Sequence, residues 1–161
     1  MKRKEINFAS AFEKVFVANQ NRGIGGKQFA ISGYGIADFV WLTPDKDLPA
    51  GETDMSLYAF EIKMENWNKA LQQAFRYSYY ADMPIVVLPK VTGERIQDRI
   101  SLFHSMNIGL WFFDKATNLI EKLFTPEPQE KRIRNGREKA LKLLLDRAHF
   151  SHLHEFANAL A

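Results

Sequence analysis

The chain has 161 residues, 46% of them hydrophobic and 13% aromatic, enough to bury a core within one domain without disulfides or metal staples. It has no cysteine, which excludes disulfides and thiolate ligands and fits a reducing, cytoplasmic setting. With 22 basic against 19 acidic residues the charge is +3, permissive of a polyanionic partner without marking a dedicated basic arm. The basic start MKRKEINF lacks an apolar signal core, and no run reaches membrane-spanning length, so a soluble protein without a membrane partner is expected.

In chain order, Phe8, Phe12, Val15 and Phe16 recur at helical spacing and predict a first helix over Phe8–Ala18, which also carries Glu13. Asn19–Gly26 has turn chemistry and is expected as a loop before a strand over Gln28–Ile31. Its Gly-Ile-Gly-Gly-Lys run, Gly23 to Lys27, is not a phosphate loop, because no Ser or Thr follows the lysine and no helix opens there. A second strand, Ile36–Leu42, alternates Ala37, Phe39 and Trp41 with Asp38, Val40 and Leu42, leaving Asp38 as its only polar residue. Aspartate is depleted in strands and costly when buried, so Asp38 is either a turn residue at the strand end or functional. Thr43–Ser56, with two prolines and a glycine, is expected as an exposed hairpin connection.

The next strand begins at Leu57 and places Leu57, Ala59, Glu61 and Lys63 on one face and Tyr58, Phe60, Ile62 and Met64 on the other. Its apolar flanks read as central, where each unpaired charge costs several kcal/mol. Glu65 and Asn66 then cap a helix over Trp67–Ala81. Its core stripe is Trp67, Ala70, Leu71, Ala74, Phe75 and Ser78, with Lys69, Gln73, Tyr77 and Tyr80 on a neighbouring polar face. A strand at Ile85–Leu88, a helix at Gly93–Met106, a strand at Ile108–Phe113 and an edge strand at Leu119–Phe124 follow. Thr125–Pro128 is linker-like, ahead of a basic helix near Arg137–Ala148 and a last helix around His152–Leu160.

Asp38, then Glu61-Ile62-Lys63, then a helix directly afterwards resembles the PD-(D/E)XK signature of the restriction-endonuclease-like nuclease superfamily. The resemblance covers Phe8 to Phe113. Ala37-Asp38 stands where the family often has Pro-Asp, and Glu61-Ile62-Lys63 is the chain's one acid-x-Lys triplet. Gln73 to Tyr77 is similar to the Gln-x-x-x-Tyr motif of RecB-like members, and Glu13 matches an acidic residue that many members carry on the first helix. A triplet of this kind arises about once by chance in a chain of average charge. Its position inside a strand, with a lone aspartate in the preceding one, is what distinguishes it.

The resemblance implies an α/β restriction-endonuclease-like core, a mixed central sheet flanked by helices, over residues 1–125. Residues 126–161 are expected to form a basic C-terminal helical extension packed on the same domain. It implies an Mg²⁺- or Mn²⁺-dependent nuclease acting on DNA. Asp38 and Glu61 would bind the metal with the Ile62 backbone carbonyl, since hard oxygen donors suit these ions. Lys63 would orient or help deprotonate the attacking water and offset charge in the transition state. Gln73 and Tyr77 would flank the site, and Glu13 would anchor a second metal or hydrogen-bond the cluster. By the same resemblance, the alternative is a catalytically inactive nuclease-fold protein serving as a nucleic-acid-binding or assembly subunit. A plainer alternative is a Glu61–Lys63 salt bridge on a solvent-facing part of the sheet, with Asp38 in a turn.

Positive charge gathers near the C-terminus at Lys131, Arg132, Arg134, Arg137, Lys139, Lys142 and Arg147. A charge run on a helix is usually a solvated face. Arg132, Arg134, Arg137, Lys139 and Lys142 are the candidates for nucleic-acid contact if the tail is a clamp. Packing, a homodimer contact or a docking surface for a partner protein that directs cutting are the other readings. His149 and His152 share a helical face, but with His154 pointing elsewhere and no cysteine they make no zinc set, and no Gly-x-Ser-x-Gly elbow supports a serine hydrolase.

Overall fold

The computed structural model describes residues 3–44, 55–127, 134–150 and Phe156. The element order is α1 (Arg3–Ala18), β1 (Ile24–Ala30), β2 (Ile36–Pro44), β3 (Met55–Ile62), α2 (Trp67–Tyr77), β4 (Met83–Pro89), α3 (Lys90–Arg95), a 3₁₀ turn at Gln97–Arg99, α4 (Ile100–Met106), β5 (Gly109–Asp114), β6 (Leu119–Phe124) and α5 (Arg134–Arg147). The six strands form one mixed sheet in sequential order. β1, β2 and β3 are an antiparallel meander, β3, β4 and β5 run parallel, and β6 returns antiparallel at the edge. Parallel neighbours require crossovers, which α2 supplies between β3 and β4, and α3 with α4 between β4 and β5. The fold is thus mixed α/β, a six-stranded sheet flanked by helices.

Each face of the sheet has its own core, as the two-residue alternation along the strands demands. On one side Phe8, Phe12 and Phe16 of α1 pack across Phe39, Trp41, Phe60, Ile62, Val87, Trp111 and Phe113. On the other, Val40, Leu42, Leu57, Ala59, Val86, Leu88, Leu110 and Phe112 meet α2, α4 and α5. The alternation expected for β3 holds, but Ala37 of β2 sits with Val40 and Leu42 instead of with Phe39 and Trp41. α5 contributes Ala140, Leu144 and Leu145 to this second core. Its Arg137 donates to the Met55 carbonyl at 2.8 Å and pairs with Asp82 at 3.2 Å. The Asp82 carboxylate also accepts from the Leu57 amide at 2.8 Å.

Several boundaries differ from those expected, each for a packing reason. β1 starts at Ile24 and absorbs the glycines expected in a loop, because a Cβ on Gly25 would lie 2.8 Å from the Trp41 ring and 2.9 Å from Phe39. α1 begins near Arg3, five residues early. α2 is capped by Asn66 as expected, its side chain accepting from the Lys69 amide, but stops at Tyr77. A turn there swings Tyr80 inward, so Tyr77 and Tyr80 are both fully buried and not on a polar face. The helix expected at Gly93–Met106 is broken into α3, the 3₁₀ turn and α4. β2 and β3 extend to Pro44 and from Met55, and the tip of their connection lies outside the described residues. So does the last helix expected around His152–Leu160, Phe156 excepted. No helix among the described residues is long and apolar enough to cross a membrane.

Candidate active site

Asp38 lies one step past the last Cα pair of β2 and β3, Phe39 with Phe60, which sets it against Glu61. Its carboxylate accepts from the Ile62 amide at 2.7 Å, filling by side chain a position that a backbone carbonyl would take in a continued ladder. Asp38 is 5% exposed and Glu61 2%. Both the turn-residue reading of Asp38 and the solvent-facing reading of Glu61 are therefore wrong, although Lys63 does sit 3.7 Å from Glu61.

The second Glu61 oxygen lies 2.5 Å from the Tyr77 hydroxyl, which also lies 2.7 Å from the Ile36 carbonyl. A phenol has one proton and the carbonyl can only accept. Both contacts are satisfied together when Glu61 is protonated, donating to Tyr77, which donates to Ile36. The electrostatics agree. Burial, reinforced by Asp38, pushes Glu61 up from 4.5 to about 8, against the Tyr77 bond and Lys63, which act to lower it. Burial also raises Asp38, opposed by the Ile62 amide and Lys63, and raises the Tyr77 phenol, reinforced by Glu61. Burial would lower the Lys63 ammonium, yet Glu61, Glu5 and Asp38 outweigh it and hold that ammonium above its ordinary range. Lys63 in this environment is a firm cation.

Gln73 stands on α2 one turn before Tyr77, and its Oε1 is buried with no hydrogen-bond partner. Glu13, 7% exposed on α1, faces Lys27 at 3.2 Å, and burial raises its carboxyl despite that ion pair. Glu13, Lys27, Gln28 and Asp38 line one cleft of about 330 Å³, with Ile6, Ala9 and Ser10 of α1. The structure thus brings Asp38, Glu61, Lys63 and Tyr77 into one cluster, puts Glu13 in the cleft beside Asp38, and sets Gln73 one turn along from Tyr77.

Three further residues belong to the site. Glu5 reaches Lys63 at 3.4 Å. With Ala9 and Glu13 it forms an i, i+4, i+8 rail on α1, a spacing visible in the sequence. Lys27, the partner of Glu13, had no such signal. Gln28 takes a left-handed φ of 47°, uncommon for a non-glycine residue, and its side chain bonds Asp38. Arg147, at the end of α5, donates to the carbonyls of Lys27 at 3.1 Å and Gln28 at 3.5 Å and lies 5.1 Å over the Phe29 ring, holding this distortion.

Among the described residues, none of the basic tail lines this cleft. Arg137, one of the candidates for nucleic-acid contact, bonds the Met55 carbonyl and the Asp82 carboxylate, a packing role. Lys139 and Lys142 are exposed on α5, whose core partners are on the sheet face opposite α1, and no α5 residue lines the cleft. Arg134 opens α5, and Arg132 lies outside the described residues. His149 follows α5 with φ 64°, while His152 and His154 are outside the described residues.

For a divalent cation the fit rests on hard oxygens. Among the described residues no three His, Asp or Glu side chains cluster as a metal set. Two carboxylates from adjacent strands would therefore be completed by the Ile62 carbonyl and solvent, as Mg²⁺ tolerates. The Gln73 Oε1, buried without a hydrogen-bond partner, suits such a polar guest.

No family model and no curated protein matches the chain. Among solved structures it is similar to the SPO1766 protein of unknown function from Silicibacter pomeroyi, with a TM-score of 0.53 and 12% identity, covering 79% of this chain and 75% of that one. At that identity the likeness speaks to the fold alone: a mixed α/β sheet flanked by helices.

Proposed function

We propose that the protein is a divalent-metal-dependent nuclease with a restriction-endonuclease-like core that hydrolyses DNA phosphodiester bonds. The observation carrying this reading is the meeting of Asp38 and Glu61 from adjacent strands, with Lys63 3.7 Å from Glu61 and the Asp38 carboxylate on the Ile62 amide. These are the residues on which the PD-(D/E)XK resemblance rests.

Asp38 and Glu61, with the Ile62 carbonyl, would hold Mg²⁺ or Mn²⁺, and Glu13 would support the cleft side. The bound ion would supply Lewis acidity at the scissile phosphate and favour ionised water as nucleophile. Lys63, kept cationic by Glu61 and Glu5, orients the water or a phosphate oxygen and offsets charge as the phosphorane develops. Tyr77 positions Glu61, its hydroxyl 2.5 Å from the carboxyl group. Gln73 offers a free amide oxygen to water.

Incubation of the purified chain with Mg²⁺ or Mn²⁺ and linear, branched and single-stranded DNA tests this. Cleavage abolished by Asp38→Ala and by Lys63→Ala is the expected result. No cleavage of any form, or cleavage that survives both substitutions, overturns it. A second reading, a non-catalytic nucleic-acid-binding or assembly subunit, is favoured by the closed proton chain from Glu61 through Tyr77 to Ile36 and by the exposed Lys139 and Lys142. Metal titration separates the two, since only the nuclease requires Asp38 and Glu61 to hold an ion.

A further inference from the structure

Gln28 and Asp38 face each other across β1 and β2. The pairs Lys27 with Phe39 and Phe29 with Ala37 bracket them, and theirs is the one position from Ile24–Leu42 to Ala30–Ile36 where no Cα pair forms. Along a regular strand, residues two apart share a face. Asp38 should therefore follow Val40 and Leu42 into the core beneath α2, α4 and α5. Gln28 should follow Gly26, where a Cβ would meet Leu144 and Arg147 of α5 at 3.3 Å. Both residues instead line the cleft with Ile6, Ala9, Ser10 and Glu13 of α1. The pleat changes face on both strands at this position, since Phe29 and Ala37 lie in the α5-side core while Phe39 lies in the α1-side core. A local irregularity of a strand pair re-aims side chains in this way.

The change of face is imposed from α5. Gln28 is exposed, so burial gives no reason for its φ of 47°, and a conformation uncommon in a non-glycine residue persists where the surroundings enforce it. Arg147 supplies that enforcement. Its guanidinium donates to the Lys27 carbonyl at 3.1 Å and to the Gln28 carbonyl at 3.5 Å, so it grips the two peptide units that flank the Gln28 Cα. The Phe29 ring, 5.1 Å away, seats the guanidinium, and the missing side chain of Gly26 lets α5 come close enough to reach. On its other side Gln28 bonds the Asp38 carboxylate, which also accepts from the Ile62 amide at 2.7 Å. Two donors fix the orientation of a carboxylate as outer hydrogen bonds orient metal ligands. We propose that Gln28 is a positioning residue for Asp38 and that Arg147 sets it, which makes the C-terminal helix part of the site's architecture through the backbone of β1. The consequence for a metal rests on the nuclease reading; the positioning of Asp38 does not.

Gln28→Gly removes the amide, and glycine takes the left-handed conformation freely, so the thermal melt in EDTA should not fall. The Ile62 amide, bonded to Asp38, reports on the carboxylate without metal. Its hydrogen exchange, followed by NMR in EDTA, should quicken about tenfold in Gln28→Gly, the scale of one hydrogen bond to a charged group, with the other β3 amides unchanged. Mn²⁺ binding measured by calorimetry should weaken about 10- to 100-fold, the usual effect of losing such a partner. Arg147→Ala should move both readouts in the same direction. So should Arg147→Lys, which keeps a cation near Phe29 but lacks the two-pronged fork. Because Arg147 acts through Gln28, Arg147→Ala should add nothing to either readout in the Gln28→Gly background. Unchanged Ile62 exchange and Mn²⁺ affinity in Gln28→Gly, or a melt that falls in step with them, overturns the inference. So does Arg147→Ala that leaves both readouts unchanged or adds its loss in full. Cleavage that persists with both readouts unchanged sinks the positioning role and leaves the nuclease standing. Quickened Ile62 exchange in a chain that binds no metal does the reverse.

Discussion

Glu61→Gln separates what Glu61 does for a metal from what it costs the fold. The carboxyl is 2% exposed and contacts Tyr77 at 2.5 Å. Burial first, and Asp38 second, lift it to about 8 from 4.5 in the unfolded chain. The folded state thus binds this proton more tightly than the unfolded one. The stability it contributes is complete below pH 4.5 and is lost as pH rises through about 8, at up to about 1.4 kcal/mol per pH unit in that window. Glutamine is neutral throughout, and its amide can donate to Tyr77 as the protonated acid does. In EDTA the two proteins should therefore agree within about 1 kcal/mol at pH 5, and the glutamine variant should be more stable by about 3 kcal/mol or more at pH 9. Asp38 and Glu13, also raised by burial, are present in both chains, so their own slopes largely cancel in the difference. Urea unfolding followed by the fluorescence of the three tryptophans, from pH 5 to 9, gives both curves. Parallel curves would refute the reasoning. Added Mg²⁺ should recover stability at high pH for wild type only, because the ion stabilises the ionised carboxylate.

Other expectations follow from the same geometry. Tyr77→Phe removes the hydroxyl that contacts both a Glu61 oxygen and the Ile36 carbonyl in a buried site and should cost about 2–3 kcal/mol in urea unfolding. Asp38→Asn keeps an acceptor for the Ile62 amide, so it should melt close to wild type while losing Mg²⁺ binding in calorimetry; retained binding would remove Asp38 from the ligand set. Arg147→Ala frees the Lys27 and Gln28 carbonyls and should cost no more than about 1.5 kcal/mol. If Gln28 positions Asp38, cleavage should fall by more than that loss accounts for, read as a drop in kcat with KM little changed. Gly93→Ala would drive a Cβ to 2.0 Å from the Phe112 ring and should destabilise by about 3 kcal/mol or more, a check on the packing of α3 over β5.

How much was legible in the sequence follows from which interactions are local. Two-residue and 3.6-residue periodicities determined the order of the first helix, the meander, the crossover helix and the later strands, because burial on one face imposes those periods on the chain itself. Asp38, Glu61 and Lys63 stood out because a charge inside an apolar strand is costly enough to be visible without coordinates. The inward turn of Tyr80 and the strand conformation of Gly25 were not visible, since each is set by a ring arriving from elsewhere in the chain. Composition likewise marked Arg137 as a surface cation, whereas its partners are the distant Met55 and Asp82. The pairing that sets Asp38 against Glu61, and the proton chain through Tyr77, were decided only by the tertiary structure. Strand register and the two contacts of the Tyr77 hydroxyl depend on groups 16 to 41 residues apart, and no local period records them.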